Sequence, residues 1–180
     1  PAQVRGAIAV GIDALFVETH PEPHNALSDG ATMVPLGYME KLLDMALEVT
    51  DAERGYILLR DREGNLTPSA QRGIEPGSLP EGDPSKAVVE SAFKQRQPVL
   101  SRNAARDPRF TGSESIILRG IRAACCIPME ARGSRIGAIY LDTTGVGKLT
   151  DGNLPLLEAF GSIAALAVAR TMELDNTRSA

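Results

Sequence analysis

RAACCIPMEARGSRIGAIYLDT, residues 122–143, carries the clearest structural signal in the chain. Two apolar runs, at 123–131 and 135–142, flank the pair Gly133-Ser134, which suits a two-residue hairpin turn. We therefore predict two antiparallel strands here. Away from the turn, both alternating sets of side chains are apolar, which predicts a sheet that is covered on both faces.

A turn at Gly133-Ser134 also predicts the register of the hairpin. Counting back from it places Ile127 opposite Tyr140 and Cys125 opposite Asp142. Residues on opposite strands that face each other share one face of the sheet. The predicted register therefore groups the following side chains on one face: Ala123, Cys125, Ile127, Tyr140 and Asp142.

Further elements surround this hairpin on both sides. Apolar spacing predicts helices over 2–17, from Pro35 onward, after Asp83 and from Thr150 to the C-terminal region, with a short helical turn at 113–119. Short apolar runs predict strands over 56–60 and 66–71, and either a strand or an extended link over 98–101. Residues 19–35, with three prolines, are typical of a connector. Pro68 cannot donate to a strand ladder, so its strand is expected at a sheet edge.

This order of elements predicts an α+β fold, in which helices flank an antiparallel sheet. The predicted division is an N-terminal helix and Pro-rich connector over 1–34, one domain over 35–175 and a C-terminal tail over 176–180. The wide apolar surface of the last helix is expected to leave room for a partner helix.

Composition excludes several classes of protein. The chain has 180 residues, 43% of them hydrophobic and 23% charged, which is typical of one globular domain. A net charge of −4 offers no basic field for direct nucleic-acid binding. We see no uninterrupted apolar run of roughly 18 residues, so no membrane span is expected. Cys125 and Cys126 are adjacent and predict two buried thiols in a cytoplasmic protein.

The chain resembles a GAF domain from about Pro35 to Arg170. The segments that carry the resemblance, in order, are Thr50–Leu59, Gln97–Leu100, Arg106–Phe110, Gly120–Met129 and Gly133–Asp142. They are most similar to the GAF domains of bacterial transcriptional activators, histidine kinases and nucleotide cyclases. The resemblance implies a GAF/PAS-like sheet in the strand order 2-1-5-4-3.

The resemblance also implies where a ligand and a partner would bind. One face of the sheet would pack on the first and last helices, which would form a homodimer. The other face would enclose a small-molecule pocket. The expected pocket comprises the face residues Ala123, Cys125, Ile127, Tyr140 and Asp142, the roof residues Phe110, Ser113, Ile116, Ile117 and Arg119, and the neighbouring Arg122.

The residues argue against resident cofactors. His20 and His24, the only histidines, lie in the Pro-rich connector, away from the expected pocket, which disfavours haem, bilin and a metal site. The residues at 141–144 and 149–153 lack the pattern of phosphodiesterase-type cyclic-nucleotide binding. A cyclic nucleotide or another anion stays open, since Arg106, Arg109, Arg119 and Arg122 either bind an anionic ligand or pair with Asp107, Glu114 or Glu130.

We therefore expect a non-enzymatic sensory domain of a bacterial signalling protein. Its ligand or its dimer contacts would control an attached effector, as in transcription regulation. The first alternative is a ligand-free GAF domain that serves only as a dimerisation scaffold. A distant alternative is an enzyme similar to free methionine sulfoxide reductase, which the adjacent cysteine pair disfavours because neighbouring cysteines close a disulfide only with severe strain.

Overall fold

The computed structural model describes residues 39–61, 63–74, 83–145 and 148–178. The predicted helix over 2–17, the connector over 19–35 and the helix start at Pro35 lie outside this part of the chain. Within it, the predicted elements are found in the predicted order.

Four α-helices and five strands form the described structure. The helices are α1 (Met39–Thr50), α2 (Lys86–Gln95), α3 (Glu114–Leu118) and α4 (Leu154–Arg178). The strands are β1 (Arg54–Arg60), β2 (Leu66–Arg72), β3 (Val99–Ser101), β4 (Ala123–Ala131) and β5 (Ser134–Thr143). Single turns of 3-10 helix lie at Ala104–Arg106, Pro108–Phe110 and Asp151–Asn153.

The strands form one antiparallel sheet in the order β2-β1-β5-β4-β3, which confirms the predicted fold. Pro68 lies on β2 at the edge of this sheet, opposite Leu58. The pairing shifts by one residue between Ile57 and Leu58. An edge strand tolerates both the missing proline donor and the irregularity.

The predicted register of the β4–β5 hairpin is wrong by one residue. The turn lies at Arg132 and Gly133, which both have positive φ (52° and 77°), as a type I′ hairpin turn requires. A bulge between Met129 and Glu130 then shifts the pairing again. The net result places Cys126 opposite Tyr140 and Ala124 opposite Asp142.

This one-residue shift reverses the face on which part of the predicted pocket lies. Ala123, Cys125 and Ile127 pack in a hydrophobic cluster with side chains of α1 and α4, such as Leu43 and Phe160. We call this side of the sheet the helical face. The three residues are therefore removed from the expected pocket, because a one-residue slip exchanges the two faces of a strand.

The opposite side of the sheet, the distal face, is covered by α2, α3 and the loop between β3 and β4. Its cluster combines sheet residues with side chains from these covering elements: Tyr56, Leu58, Val88, Val89, Ala92, Val99, Ala104, Phe110, Ile116, Ile121, Ala124, Cys126, Ala138 and Tyr140. The sheet thus has a core on each side, as the apolar pattern of the hairpin predicts.

The final helix contains the one segment of the described residues that could cross a membrane by length and composition alone, at 151–169. No such span was expected from the sequence. In the structure Leu157, Phe160 and Ala164 of α4 are fully buried on the helical face. The need to fill that core explains the apolar composition of this helix.

Candidate functional site

A buried carboxylate, that of Asp142, lies near the end of β5 on the distal face. Only 1% of its side chain is exposed. It accepts a hydrogen bond from Arg54 Nε at 2.6 Å and another from the Tyr140 hydroxyl at 2.9 Å. Burial raises the pKa of Asp142, and the guanidinium of Arg54 and the Tyr140 hydroxyl offset part of this shift.

Arg54 is brought to Asp142 by the pairing of β1 with β5, in which the two residues lie directly opposite each other. Burial lowers the pKa of Arg54, but the charge and hydrogen bond of Asp142 outweigh that effect, so the pKa is raised and the group stays charged. Its Nη2 atom is buried and has no hydrogen-bond partner among the described residues. A buried donor without an acceptor is rare in folded proteins.

Two tyrosines continue the site along the distal face. Tyr56 on β1 lies opposite Tyr140 on β5, and their ring centroids are 5.8 Å apart with a tilt of 59°. This tilted geometry is favourable for an aromatic pair. Burial raises the pKa of Tyr56 to about 12 and raises that of Tyr140 well above its ordinary value, so both hydroxyls keep their protons at neutral pH.

A chain of hydroxyl groups covers the tyrosines. The Tyr140 hydroxyl is hydrogen-bonded to the backbone of Ser85, which lies just before α2 and is fully buried. Ser115 of α3 donates to the Ser85 Oγ at 3.1 Å, and Ser113 and Ser115 are joined at 3.1 Å. A polar network therefore runs from Asp142 through the interior of the distal face to the roof.

The structure brings together most of the remaining predicted pocket residues. Phe110 and Ile116 are buried in the distal cluster, and Ser113 is half-buried. Ile117 points outward and is 66% exposed, so it does not line the interior. Arg122 is exposed.

Arg119 is half-buried, and its positive charge lowers the pKa of both Asp142 and Tyr56. This electrostatic effect places Arg119 within range of the buried network. Arg119 is therefore a cation of the predicted roof whose charge acts on the polar centre of the site.

Arg109, another arginine of the predicted group, makes contacts within the roof loop between β3 and α3. Arg109 binds the carboxylate of Asp107 at 2.7 Å and the carbonyl of Leu100 at 2.8 Å, and its guanidinium lies 5.1 Å from the ring centroid of Phe110. Arg109 is thus paired with Asp107, one of the two alternatives left open by the sequence. Glu130 pairs instead with Arg96.

Sequence reasoning missed Arg54, Tyr56, Ser85 and Ser115. The first two could have been found from alternation along β1, where positions 54 and 56 share a face, once β1 was placed beside β5. The predicted strand began at Tyr56 and so excluded Arg54. The two serines carry no sequence signal beyond their positions near helix starts.

Among the described residues, no group of three or more His, Cys, Asp or Glu side chains could hold a metal ion. Both cysteines are buried, and they lie on opposite faces of β4. Burial raises the pKa of Cys125 to about 12 and that of Cys126 well above its ordinary value. Burial thus favours the protonated thiol at both positions.

The GAF domain family model matches residues 38–169. Together with the strand order of the sheet, this shows that the chain belongs to the GAF domain family.

Solved GAF structures share the fold at low sequence identity. A domain of a putative two-component sensor histidine kinase from Sinorhizobium meliloti 1021 is 19% identical, with a TM-score of 0.61 over 80% of this chain and 96% of that chain. Free methionine-R-sulfoxide reductase from Neisseria meningitidis, in complex with its substrate, is 15% identical, with a TM-score of 0.59 over 77% of this chain and 80% of that chain. The same fold thus occurs in a sensor protein and in an enzyme.

The N-terminal part of the chain is similar to a different family. The model of the DAHP synthetase I family matches residues 1–54. The 2-dehydro-3-deoxyphosphooctonate aldolase of Polaromonas naphthalenivorans (strain CJ2) is 49% identical over 59 residues, which are 32% of this chain and 21% of that protein. The chain spans about one fifth of the length of the curated relatives it matches. From the sequence alone, residues 1–34 were predicted only as a helix and a connector.

Proposed function

We propose that this GAF domain is a sensory module that binds a small acidic molecule at the distal face and thereby controls an attached effector. The observation that carries the proposal is the buried Nη2 atom of Arg54, which has no partner among the described residues although it belongs to an otherwise hydrogen-bonded network. Leaving such a donor unsatisfied costs about 1–3 kcal/mol. A ligand oxygen would supply the missing acceptor.

The unpartnered atom belongs to a guanidinium group, which favours an anion. Arg54 and Arg119 both act on the carboxylate of Asp142, which is buried. A ligand carboxylate or phosphate would supply an acceptor for Arg54 Nη2, since guanidinium groups bind both kinds of oxygen through short, charge-assisted hydrogen bonds. Tyr56 and Phe110 offer apolar surface beside the polar centre.

A short connection links the site to the helices. Glu53, next to Arg54, accepts hydrogen bonds from both the backbone amide and the hydroxyl of Thr144 at 2.8 and 2.7 Å, and these bonds lower its pKa. Lys148 lies within ion-pair distance of Glu53 and of Asp51, just after α1. A ligand that moves Arg54 would therefore act on the end of α1 and on the segment leading to α4, which we propose as the route to the effector.

The proposed ligand class is tested with Arg54→Lys. Lysine keeps a charge that can pair with Asp142 but cannot place a second donor where Nη2 lies. Acetate and inorganic phosphate, titrated at constant ionic strength, should raise the Tm of the unchanged protein saturably. The variant should weaken binding of the effective anion about tenfold or more. Arg109→Lys, which alters an arginine already paired with Asp107, should leave the affinity unchanged.

Two results would contradict the proposal in different ways. If neither anion shifts the Tm but a neutral metabolite does so, the domain is a sensor of another ligand class. If a broad metabolite screen also gives no saturable shift, the ligand-free dimerisation scaffold is favoured instead.

We further propose that the domain acts without catalysis, as a cytoplasmic homodimer. The reductase alternative requires reactive thiols, whereas Cys125 and Cys126 are buried on opposite faces of β4. The purified chain should show no turnover of free methionine-R-sulfoxide, and thiol-dependent turnover would reverse this assignment.

A further inference from the structure

We infer that α1 is shared by two sequence families, and that the aldolase-type segment of the chain ends inside the core of the GAF domain. The DAHP synthetase I match ends at residue 54, whereas the GAF match begins at residue 38. The residues common to both, 38–54, include the whole of α1 and the first residue of β1.

The contacts of α1 show which fold this helix serves here. Its apolar stripe is buried on the helical face, with Leu43 and Ala46 both at 0% exposure. Arg72 on β2 fixes the outer side of the helix through ion pairs with Glu40 at 2.7 Å and Asp44 at 2.8 Å. Although α1 lies within the DAHP synthetase I match, it therefore packs here as a layer of the GAF domain.

The sheet is shaped to receive this helix. A Cβ atom at Gly55 would lie 2.8 Å from Leu43 Cδ1 and 3.1 Å from Leu47 Cδ2. A side chain at position 55 would therefore require the ends of these leucine side chains to shift. Gly55 on β1 therefore leaves room for Leu43 and Leu47 of α1, which lie within the DAHP synthetase I match.

This arrangement excludes a second use of the helix. One apolar stripe can be buried against one surface at a time, so any packing of residues 39–50 with an aldolase-type partner would compete with the GAF core. Only residues 51–53 separate α1 from Arg54, which is also the last residue of the DAHP synthetase I match.

Hydrogen exchange of the full chain, followed by mass spectrometry, tests the inference directly. The amides of residues 39–50 should be protected as strongly as those of β4 and β5, because they should open only when the whole domain unfolds. Rapid exchange over 39–50, with β4 and β5 still protected, would overturn the inference.

A matched pair of substitutions on α1 gives an independent measurement. Leu43→Ala removes a fully buried side chain and should lower the Tm of the domain by about 10 °C. Val49→Ala, at a position 44% exposed on the same helix, should change the Tm by no more than about 2 °C. Equal effects of the two substitutions would show that the stripe is not buried in the GAF core and would also overturn the inference.

Discussion

Asp107 shows how a single charge holds the roof loop in place. Its carboxylate accepts from the backbone amide of Arg109 at 3.0 Å and from the guanidinium at 2.7 Å. The side-chain hydrogen bond from Arg109 is the largest of the effects that lower the pKa of Asp107 to about 2. The loop thus depends on an ionised aspartate.

We predict that Asp107→Asn makes this dependence visible as a function of pH. A carboxyl group whose pKa is lowered in the folded state stabilises the fold above its ordinary pKa near 3.8 and loses that contribution as the pH falls toward 2. Asparagine keeps the capping oxygen but not the charge. Urea unfolding should show a loss of about 1–2 kcal/mol at pH 7 that vanishes near pH 2. A loss that does not change with pH would contradict the assigned cause.

The two cysteines allow a second test at this scale. Both thiols are fully buried, and burial raises their pKa values, so little thiolate forms at neutral pH. We predict that an aromatic disulfide reagent labels neither Cys125 nor Cys126 in the folded protein at pH 8, and labels both rapidly in denaturant. Fast labelling of one thiol in the native state would show that its face of β4 opens to solvent.

At the scale of the elements, the β4–β5 hairpin depends on a close approach at Gly137. A Cβ atom there would lie 2.2 Å from the Leu58 carbonyl oxygen and 2.5 Å from Met129 Cε. The first contact is with backbone of the neighbouring strand, which cannot move aside without breaking the β1–β5 ladder. Position 137 therefore has no room for a side chain.

Gly137→Ala should accordingly destabilise the domain by more than about 3 kcal/mol, measured by chemical unfolding. Gly133→Ala is the matched control, because a Cβ there meets nothing within 4 Å and only its φ of +77° opposes alanine. That strain costs about 1–2 kcal/mol. Similar losses at the two positions would show that strand spacing does not limit residue 137.

The same hairpin explains what the sequence could and could not predict. Alternating apolar runs and a glycine-containing turn were sufficient for both strands, and the resemblance supplied the strand order. The face that the two strands share was not predictable in this way. Moving the turn from 133–134 to 132–133 shifts the pairing by two residues and leaves the same side chains on one face, whereas the bulge between Met129 and Glu130 shifts it by one residue and exchanges the faces. The sequence pattern does not show this bulge.

The candidate site was predictable only where it lies on local segments. Phe110, Ile116, Tyr140 and Asp142 belong to elements recognised from their own sequence. Arg54 acts through its pairing with Asp142, 88 residues away, so its role depends on strand order and register together. Long-range pairing of this kind is not encoded in local spacing.

At the scale of the whole molecule, the two faces of the sheet differ in composition. The distal face holds the polar network, whereas the helical face holds α1 and α4 on an apolar core. Glu53 and Lys148 lie where the two layers meet. Under the proposed sensory function, a change at the distal face would act on α1 and α4 through these two residues.

The proposed homodimer is tested on the outer surface of α4. Glu158, Ser162 and Leu166 are exposed at four-residue spacing and so form one stripe along the helix, with Leu166 54% exposed. If a second copy packs on this stripe, sedimentation velocity should show a dimer that Leu166→Glu converts to a monomer, because a buried glutamate without a partner is strongly unfavourable at an interface. Leu118→Glu, at an 82% exposed position on α3, should leave the dimer intact. A monomeric unchanged chain would contradict dimerisation itself, whereas a dimer that survives Leu166→Glu would place the interface on another surface.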